Sequence, residues 1–348
     1  MSKQIYHLSH IDLDGYGCQY LVSKALGNVK YYNANYGPEV KARINEIISD
    51  IENDQKRNAD EKQLILITDL NLTTKEGHNI EKEARRLGVE LQLLDHHASG
   101  ANAAEEFEWY ELDTTRCASK ITYQWLQEKY NFDKENEYKD IVKAINAIDI
   151  WQDQDSLFEY GKVMLGMVSG AREINKVMFP NQDREFKLSL IEGAKDRLLS
   201  ENAPIVLDDE LHSIKKAFFI SGANNTKDNL VAIYITKILT AQKDRLIVNY
   251  KDYKGILTYS VGNTSIIGNA FLVANEDMDF YMDVGGRGNF SLRSNNKVDV
   301  SKMAATIGNG GGHPNASGGK IKDFKNSFVY GNLHGFIQRY IDEMSEKE

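Results

Sequence analysis

Cysteine and proline are scarce in this chain: 2 Cys and 4 Pro in 348 residues. Cys18 and Cys117 cannot make a disulfide scaffold and are read as free thiols without an assigned role. The low proline content, with 41% hydrophobic and 27% charged residues, excludes disordered and collagen-like classes. No apolar run approaches the roughly 18 residues of a membrane span, and Met1-Ser2-Lys3-Gln4-Ile5 lacks the apolar core of a secretory leader. A soluble, cytoplasmic chain with no membrane partner is expected. Positive charge is also in deficit, 42 Lys and Arg against 51 Asp and Glu for a net charge of −9. That balance argues against a protein that grips long duplex nucleic acid by neutralising many phosphates. It leaves a small anionic substrate open, because metal ions can supply local positive charge.

What is present reads as an α/β chain in two parts. Up to about residue 150, short apolar runs alternate with amphipathic stretches, the pattern of βαβ units in a largely parallel sheet with flanking helices. Strands are expected at Ile5–Ser9, Val29–Ala34, Leu64–Thr68 and Val89–Leu94, with helices at Tyr20–Leu26, Lys41–Ile51 and Ile80–Leu87 and a charged stretch at Glu52–Lys62. Helices are then expected at Ile121–Tyr130, Tyr138–Ile150, Ala171–Phe179 and Phe186–Leu199. Residues 1–199 are read as a larger N-terminal α/β domain, 200–229 as a linker and 230–348 as a smaller α/β domain. In the last, Val231–Ile235, Leu246–Tyr250, Gly255–Val261, Asp279–Val284 and Asn289–Arg293 are expected to form an antiparallel or mixed sheet.

Three expected strands run straight into acidic or imidazole side chains, and in open α/β sheets ligands gather beyond the carboxyl ends of strands. In His10-Ile11-Asp12-Leu13-Asp14-Gly15, alternate residues of an extended segment share a side, so His10, Asp12 and Asp14 can converge as metal ligands. The same segment also fits a polar strand-to-helix turn capped by Asp14. Asp69 ends the most hydrophobic run, where a carboxylate is costly unless paired, capping or bound to metal. Asp95-His96-His97 follows the next strand, and Asp149 sits in the apolar Ala147-Ile148-Asp149-Ile150. His10, Asp12, Asp14, Asp69, His96 and Asp149 make a hard, mixed N/O set suited to two Mn²⁺ or Mg²⁺ ions rather than structural zinc. Two such ions activate water and clamp the oxygens of an in-line displacement at phosphorus.

A third cluster, Gly308 to Gly319, contains Gly310-Gly311-Gly312-His313, whose backbone N–H groups can approach a phosphate closely; a flexible loop is the lesser alternative. Upstream, Arg293 offers a phosphate contact, while Phe290 is read as core.

The ordered set His10-x-Asp12-x-Asp14-Gly15, Asp69, Asp95-His96-His97 and Asp149 resembles the four successive motifs of the DHH phosphoesterase superfamily. Gly310-Gly311-Gly312-His313 with Ala316-Ser317-Gly318 is similar to the hallmark of its associated C-terminal domain. The resemblance implies a DHH domain holding two Mn²⁺, with Mg²⁺ or Co²⁺ as alternatives, and a C-terminal domain across an active-site cleft. By it, His10, Asp12 and Asp69 hold one ion and Asp14, Asp69, His96 and Asp149 the other, with Asp69 bridging. Asp95 then supports the histidines, His97 faces the scissile phosphate, and Arg293, Gly310, Gly311, Gly312 and His313 bind the substrate's phosphate or terminal nucleotide. Many relatives place the first histidine four residues before the first aspartate, where this chain has Leu8; His10 follows another subgroup. Within the superfamily, length and acidity set aside the large RecJ-type exonucleases and the lack of spans the membrane-bound members, and His10-Ile11-Asp12-Leu13-Asp14-Gly15 followed by Cys18 most resembles the B-type oligoribonucleases, or nano-RNases. The expected activity is Mn²⁺-dependent 3′–5′ exonucleolytic hydrolysis of short single-stranded RNA and dinucleotides, in a chain of a type that often forms homodimers. Pyrophosphatase or exopolyphosphatase activity and cyclic-dinucleotide or pApA phosphodiesterase activity are the alternatives.

Overall fold

The computed structural model describes residues 3–58 and 61–347. The Met1-Ser2 start and the Ala59-Asp60 part of the charged stretch lie outside the described residues. The chain divides into two compact units, Met1–Ala171 with Arg184–Ile214, and Arg172–Asp183 with Lys215–Glu348.

The first unit opens with β1 (Gln4–Ser9), α1 (Leu13–Ala25), β2 (Val29–Asn33), α2 (Pro38–Gln55), β3 (Gln63–Thr68), α3 (Thr74–Leu87), β4 (Glu90–Asp95), α4 (Ala101–Glu106) and β5 (Tyr110–Leu112). All pairings in its five-stranded sheet are parallel, in the order β2-β1-β3-β4-β5. Every residue of β1 and β3 is buried, as strands covered on both faces must be. On one face Tyr6, Leu8, Ile65, Ile67 and Leu93 pack with Ile44, Ile47 and Ile51 of α2 and Ile80 of α3. The opposite face, with Ile5, Leu64, Leu66 and Leu94, is equally buried. Local chemistry sets the ends: α3 starts in a reciprocal Thr73–Glu76 capping box and stops at Gly88 in the left-handed conformation. Then follow α5 (Ala118–Tyr130), α6 (Lys139–Asp149), α7 (Phe158–Ser169), α8 (Pro180–Lys195) and α9 (Ala203–Phe219).

The second unit continues with α10 (Lys227–Ala241), β6 (Ile247–Tyr250), β7 (Tyr253–Tyr259), α11 (Thr264–Ala274), β8 (Phe280–Val284), β9 (Asn289–Ser294), α12 (Val300–Gly308), β10 (Gly311–His313), β11 (Ala316–Lys320) and α13 (Tyr330–Ser345). Its mixed sheet has the order β10-β11-β9-β8-β7-β6, with β7–β8 the parallel pair. One face buries Phe280, Met282, Phe290 and Leu292 with Val300, Met303 and Ile307 of α12 and Ile337 and Ile341 of α13. Among the described residues no helix is long and apolar enough to cross a membrane.

Several sequence expectations are corrected. Val231–Ile235 is helical, inside α10: Val231 and Ile235, one turn apart, are buried together while Ile233 is 57% exposed, so packing overrides the β-branched composition. Ala171–Phe179 is not a helix; it is the irregular segment between α7 and Pro180 at the start of α8. The stretch 200–229, read as a linker, contains α9. The lesser reading of the glycine-rich segment as a flexible loop falls away, because Gly311–His313 forms the sheet's edge strand, paired antiparallel with Ala316–Lys320. Glycine needs no side chain to join a ladder.

Candidate active site in the parallel sheet

From β1 the chain runs out to β2 and returns to β3 on the other side of β1, so connections diverge at the β1–β3 boundary and leave a crevice beyond the strands' carboxyl ends. Loops from three adjacent strands, β1, β3 and β4, deliver His10 to Asp14, Asp69 and Asp95 to His97 there, and the end of α6 adds Asp149.

Asp12, not Asp14, caps α1, accepting the Gly15 N–H at 3.0 Å. Gly15 is obligatory, since a Cβ would lie 2.4 Å from the His10 carbonyl oxygen. Asp14 is buried in the first turn, and its carboxylate accepts the Ala118 and Ser119 N–H groups at 2.7 and 2.8 Å, capping α5 from a distant part of the chain. Asp69 is buried, with its backbone in the left-handed region at φ 57°. Such a non-glycine conformation costs about 1 kcal/mol or more and is held only when its surroundings enforce it; here the Asp69 N–H donates to the Leu94 carbonyl.

The side chains converge. His10 Nδ1 lies 2.8 Å from Asp12 Oδ2 and 3.6 Å from Asp69 Oδ2. His96 Nε2 lies 3.4 Å from Asp69 Oδ1, 3.5 Å from Asp149 Oδ2 and 3.9 Å from Asp14 Oδ2. One Asp69 oxygen therefore faces the His10 group and the other the His96 group. His97 lies beside this cluster with both ring nitrogens engaged: its Nδ1 meets Asp95 Oδ1 at 2.7 Å and its Nε2 meets the Tyr36 hydroxyl at 2.8 Å. Buried Asp95 also accepts the Tyr110 hydroxyl at 2.8 Å.

Burial, and then the neighbouring carboxylates, push Asp69 and Asp14 above the usual carboxylate range and raise Asp149 to about 8. Burial alone would lower His10, but hydrogen bonding and charge from Asp12 and Asp69 outweigh it and raise it to about 10. Burial would raise Asp12, yet His10 and the Gly15 N–H bring it to about 2. Crowded carboxylates of this kind resist ionising together, and a cation placed among them would favour their charged forms.

The residues fit divalent metal. His10 Nδ1 and Asp69 Oδ2 are buried without a directional hydrogen-bond partner. Potential ligand atoms lie within 4.8 Å of one another in three groups: His10, Asp12 and Asp69; Asp69, His96 and His97; and Asp14, Cys117 and Asp149. Sequence reasoning missed Cys117, Tyr36 and Tyr110. Cys117 immediately precedes α5, whose first N–H groups hold Asp14, and Tyr36 follows the end of β2, a fourth strand end at the same rim. Neither sits in a motif with ligand spacing.

The remaining predicted residues belong to the second unit. Strand register aligns His313 with Ala316 and Ala316 with Arg293 on one row of the sheet. Arg293 donates to Ser265 Oγ of α11 at 2.6 Å, and His313 is exposed. Gly312 has φ 147°, and a Cβ there would lie 2.6 Å from the Ala316 carbonyl oxygen, so a side chain would disturb this edge. Phe290 lies in the core, as expected.

Comparison with known proteins agrees with this architecture. The chain is 42% identical, over 344 residues covering 96% of it and 98% of the relative, to a 3′,5′-cyclic-nucleotide phosphodiesterase of Helicobacter pylori. It is also similar to the crystal structure of an uncharacterized Helicobacter pylori protein, with a TM-score of 0.89 and 42% identity over 98% of this chain and 99% of that one. Residues 4–147 match the DHH family N-terminal domain and residues 270–346 the DHHA1 domain. With the motifs at the strand ends and both domains in place, the chain belongs to the metal-dependent DHH phosphoesterase superfamily.

Proposed function

We propose that the protein is a dinuclear-metal phosphodiesterase of small nucleotides. The observation that carries this reading is the convergence of His10, Asp12, Asp14, Asp69, His96 and Asp149 at one sheet rim, with Asp69 shared between two ligand groups. In it, His10, Asp12 and Asp69 hold one ion and Asp14, Asp69, His96 and Asp149 the other, Mn²⁺ being preferred over Mg²⁺ or Co²⁺. When bound, such ions supply an activated water and positive charge for in-line displacement at phosphorus.

The protein's own groups do the rest. Asp95 orients His97 through Nδ1, and His97 addresses the scissile phosphate. Arg293, His313 and the amides of Gly310, Gly311 and Gly312 bind the remaining phosphate or terminal nucleotide. Relatedness to a 3′,5′-cyclic-nucleotide phosphodiesterase across nearly the whole chain favours cyclic mononucleotides. The resemblance of the ordered motifs to nano-RNases favours di- to pentaribonucleotides cut from the 3′ end. Both substrates present a ribose 3′,5′-phosphodiester to the site.

The test is a side-by-side time course with 3′,5′-cyclic AMP, a 5′-labelled diribonucleotide, pApA, a 24-mer RNA and pyrophosphate, each with Mn²⁺ and with chelator. Mn²⁺-dependent loss of the cyclic nucleotide or the dinucleotide, with a slow 24-mer, is expected. Phosphate release from pyrophosphate far faster than either would overturn the phosphodiesterase reading, and turnover in chelator would overturn the metal site.

A further inference from the structure

The same three strands that carry the candidate site have opposite ends, and a cavity of about 660 Å³ lies there. Lys3 and Lys62 directly precede β1 and β3, Glu90 opens β4, and Trp125, Lys129 and Tyr130 come from the last two turns of α5. It shares no residue with the metal cluster. None of the sequence motifs falls in it.

Its chemistry is asymmetric. Three lysines face one carboxylate, and that carboxylate is already used, since Glu90 pairs with Lys3 at 2.6 Å. Among the described residues, Lys62 and Lys129 have no carboxylate within ion-pair distance, so the lining carries a surplus of two positive charges in a chain of net charge −9. The wall behind them is aromatic: the Trp125 and Tyr130 rings meet edge to face at 5.2 Å, with Tyr130 38% exposed. The Trp125 indole N–H is buried without an acceptor among the described residues, a donor that most folds satisfy. Two uncompensated cations lining one cavity with an aromatic wall suit a ligand with an anionic end and a flat ring. The volume is ample, since small-molecule sites run from about 300 Å³ upward.

We propose that this cavity is a second, non-catalytic nucleotide site that takes a nucleoside 5′-monophosphate, its phosphate on Lys62 and Lys129 and its base against Tyr130 and Trp125. Uncharged nucleosides lack the group the lysines recognise, and inorganic phosphate lacks the ring.

The experiment is calorimetric titration of the full chain with 5′-AMP in chelator, where the carboxylate-rich metal cluster repels phosphate and the reading does not depend on turnover. One AMP per chain is expected, with adenosine and inorganic phosphate each at least about tenfold weaker. Lys62→Glu with Lys129→Glu should weaken AMP by about tenfold or more while Mn²⁺-dependent turnover stays at the wild-type rate. Tyr130→Ala provides a second variant that leaves the charges in place and should also weaken AMP but not phosphate. Asp69→Ala should leave AMP binding unchanged. No AMP binding at millimolar concentration, adenosine binding as tightly as AMP, or AMP binding that survives the double charge reversal would each overturn the site.

Discussion

The two sheets hold their candidate functional groups in opposite ways. In the parallel sheet they hang beyond the strand ends, with Asp14, Asp69 and Asp95 almost completely buried. In the mixed sheet, Arg293 and His313 lie within the strands and in register, with His313 open to solvent. A buried, mutually dependent cluster should fail as a unit when one member goes, because each remaining charge loses its compensation. Groups set singly on a surface row should fail by degrees.

Asp69→Ala tests the first half most severely. Losing the carboxylate shared by both ligand groups should cut turnover by about 10³-fold, which is what several kcal/mol of lost charge stabilisation implies. Metal content measured on the purified variant should fall with it. Retained turnover would show that the cluster is not a unit. Arg293→Ala tests the second half: KM should rise by about tenfold with kcat nearly unchanged, as for loss of one charge-assisted contact made equally in ground and transition states. A collapse of kcat instead would erase the distinction between the sheets. Tyr36→Phe sharpens the comparison at the exposed fringe of the buried cluster. It removes one hydrogen bond to His97, and a decrease in kcat of about fivefold is expected, without change in metal content.

The smallest effect is on stability. Asp14, Asp69 and Asp149 are raised by burial and mutual repulsion, Asp149 to about 8. A carboxyl group raised on folding contributes stability that is fully present below its ordinary value near 4 and is lost as pH rises through the folded value. His10, raised to about 10, acts in the same direction above its ordinary value of 6.5. Metal-free protein should therefore melt a few degrees lower at pH 8 than at pH 5. Added Mn²⁺ should raise the melting temperature more at pH 8, because the ion replaces the missing protons.

Much of this division was legible in the sequence, for identifiable reasons. A run such as Leu64 to Thr68 ending in Asp69 announces both a buried strand and a group that needs a partner, and three such ends specify a common rim. The glycine-rich segment announced close backbone approach but not its strand pairing, which depends on β9, a segment well upstream. Val231 to Ile235 misled because β-branched residues carry the same composition in a packed helix as in a strand. Tyr36 and Cys117 carry no pattern at all; only the meeting of separate loops gives them meaning. The linkage of Asp14 to α5 belongs with them, since no local signal connects residues so far apart.

That linkage also sets an order of events in time. The carboxylate of Asp14 is held by the backbone of Ala118 and Ser119, and His96 by its approach to Asp149 from the end of α6. A nascent chain that has emerged only through β4 has every strand-end motif already synthesised and still no complete metal cluster. If the proposed ligand set is right, metal capture reports that α5 and α6 have docked, so the rate at which an added divalent ion becomes protected from chelator during refolding should be a clock for the closing of the first unit rather than for the pairing of its strands.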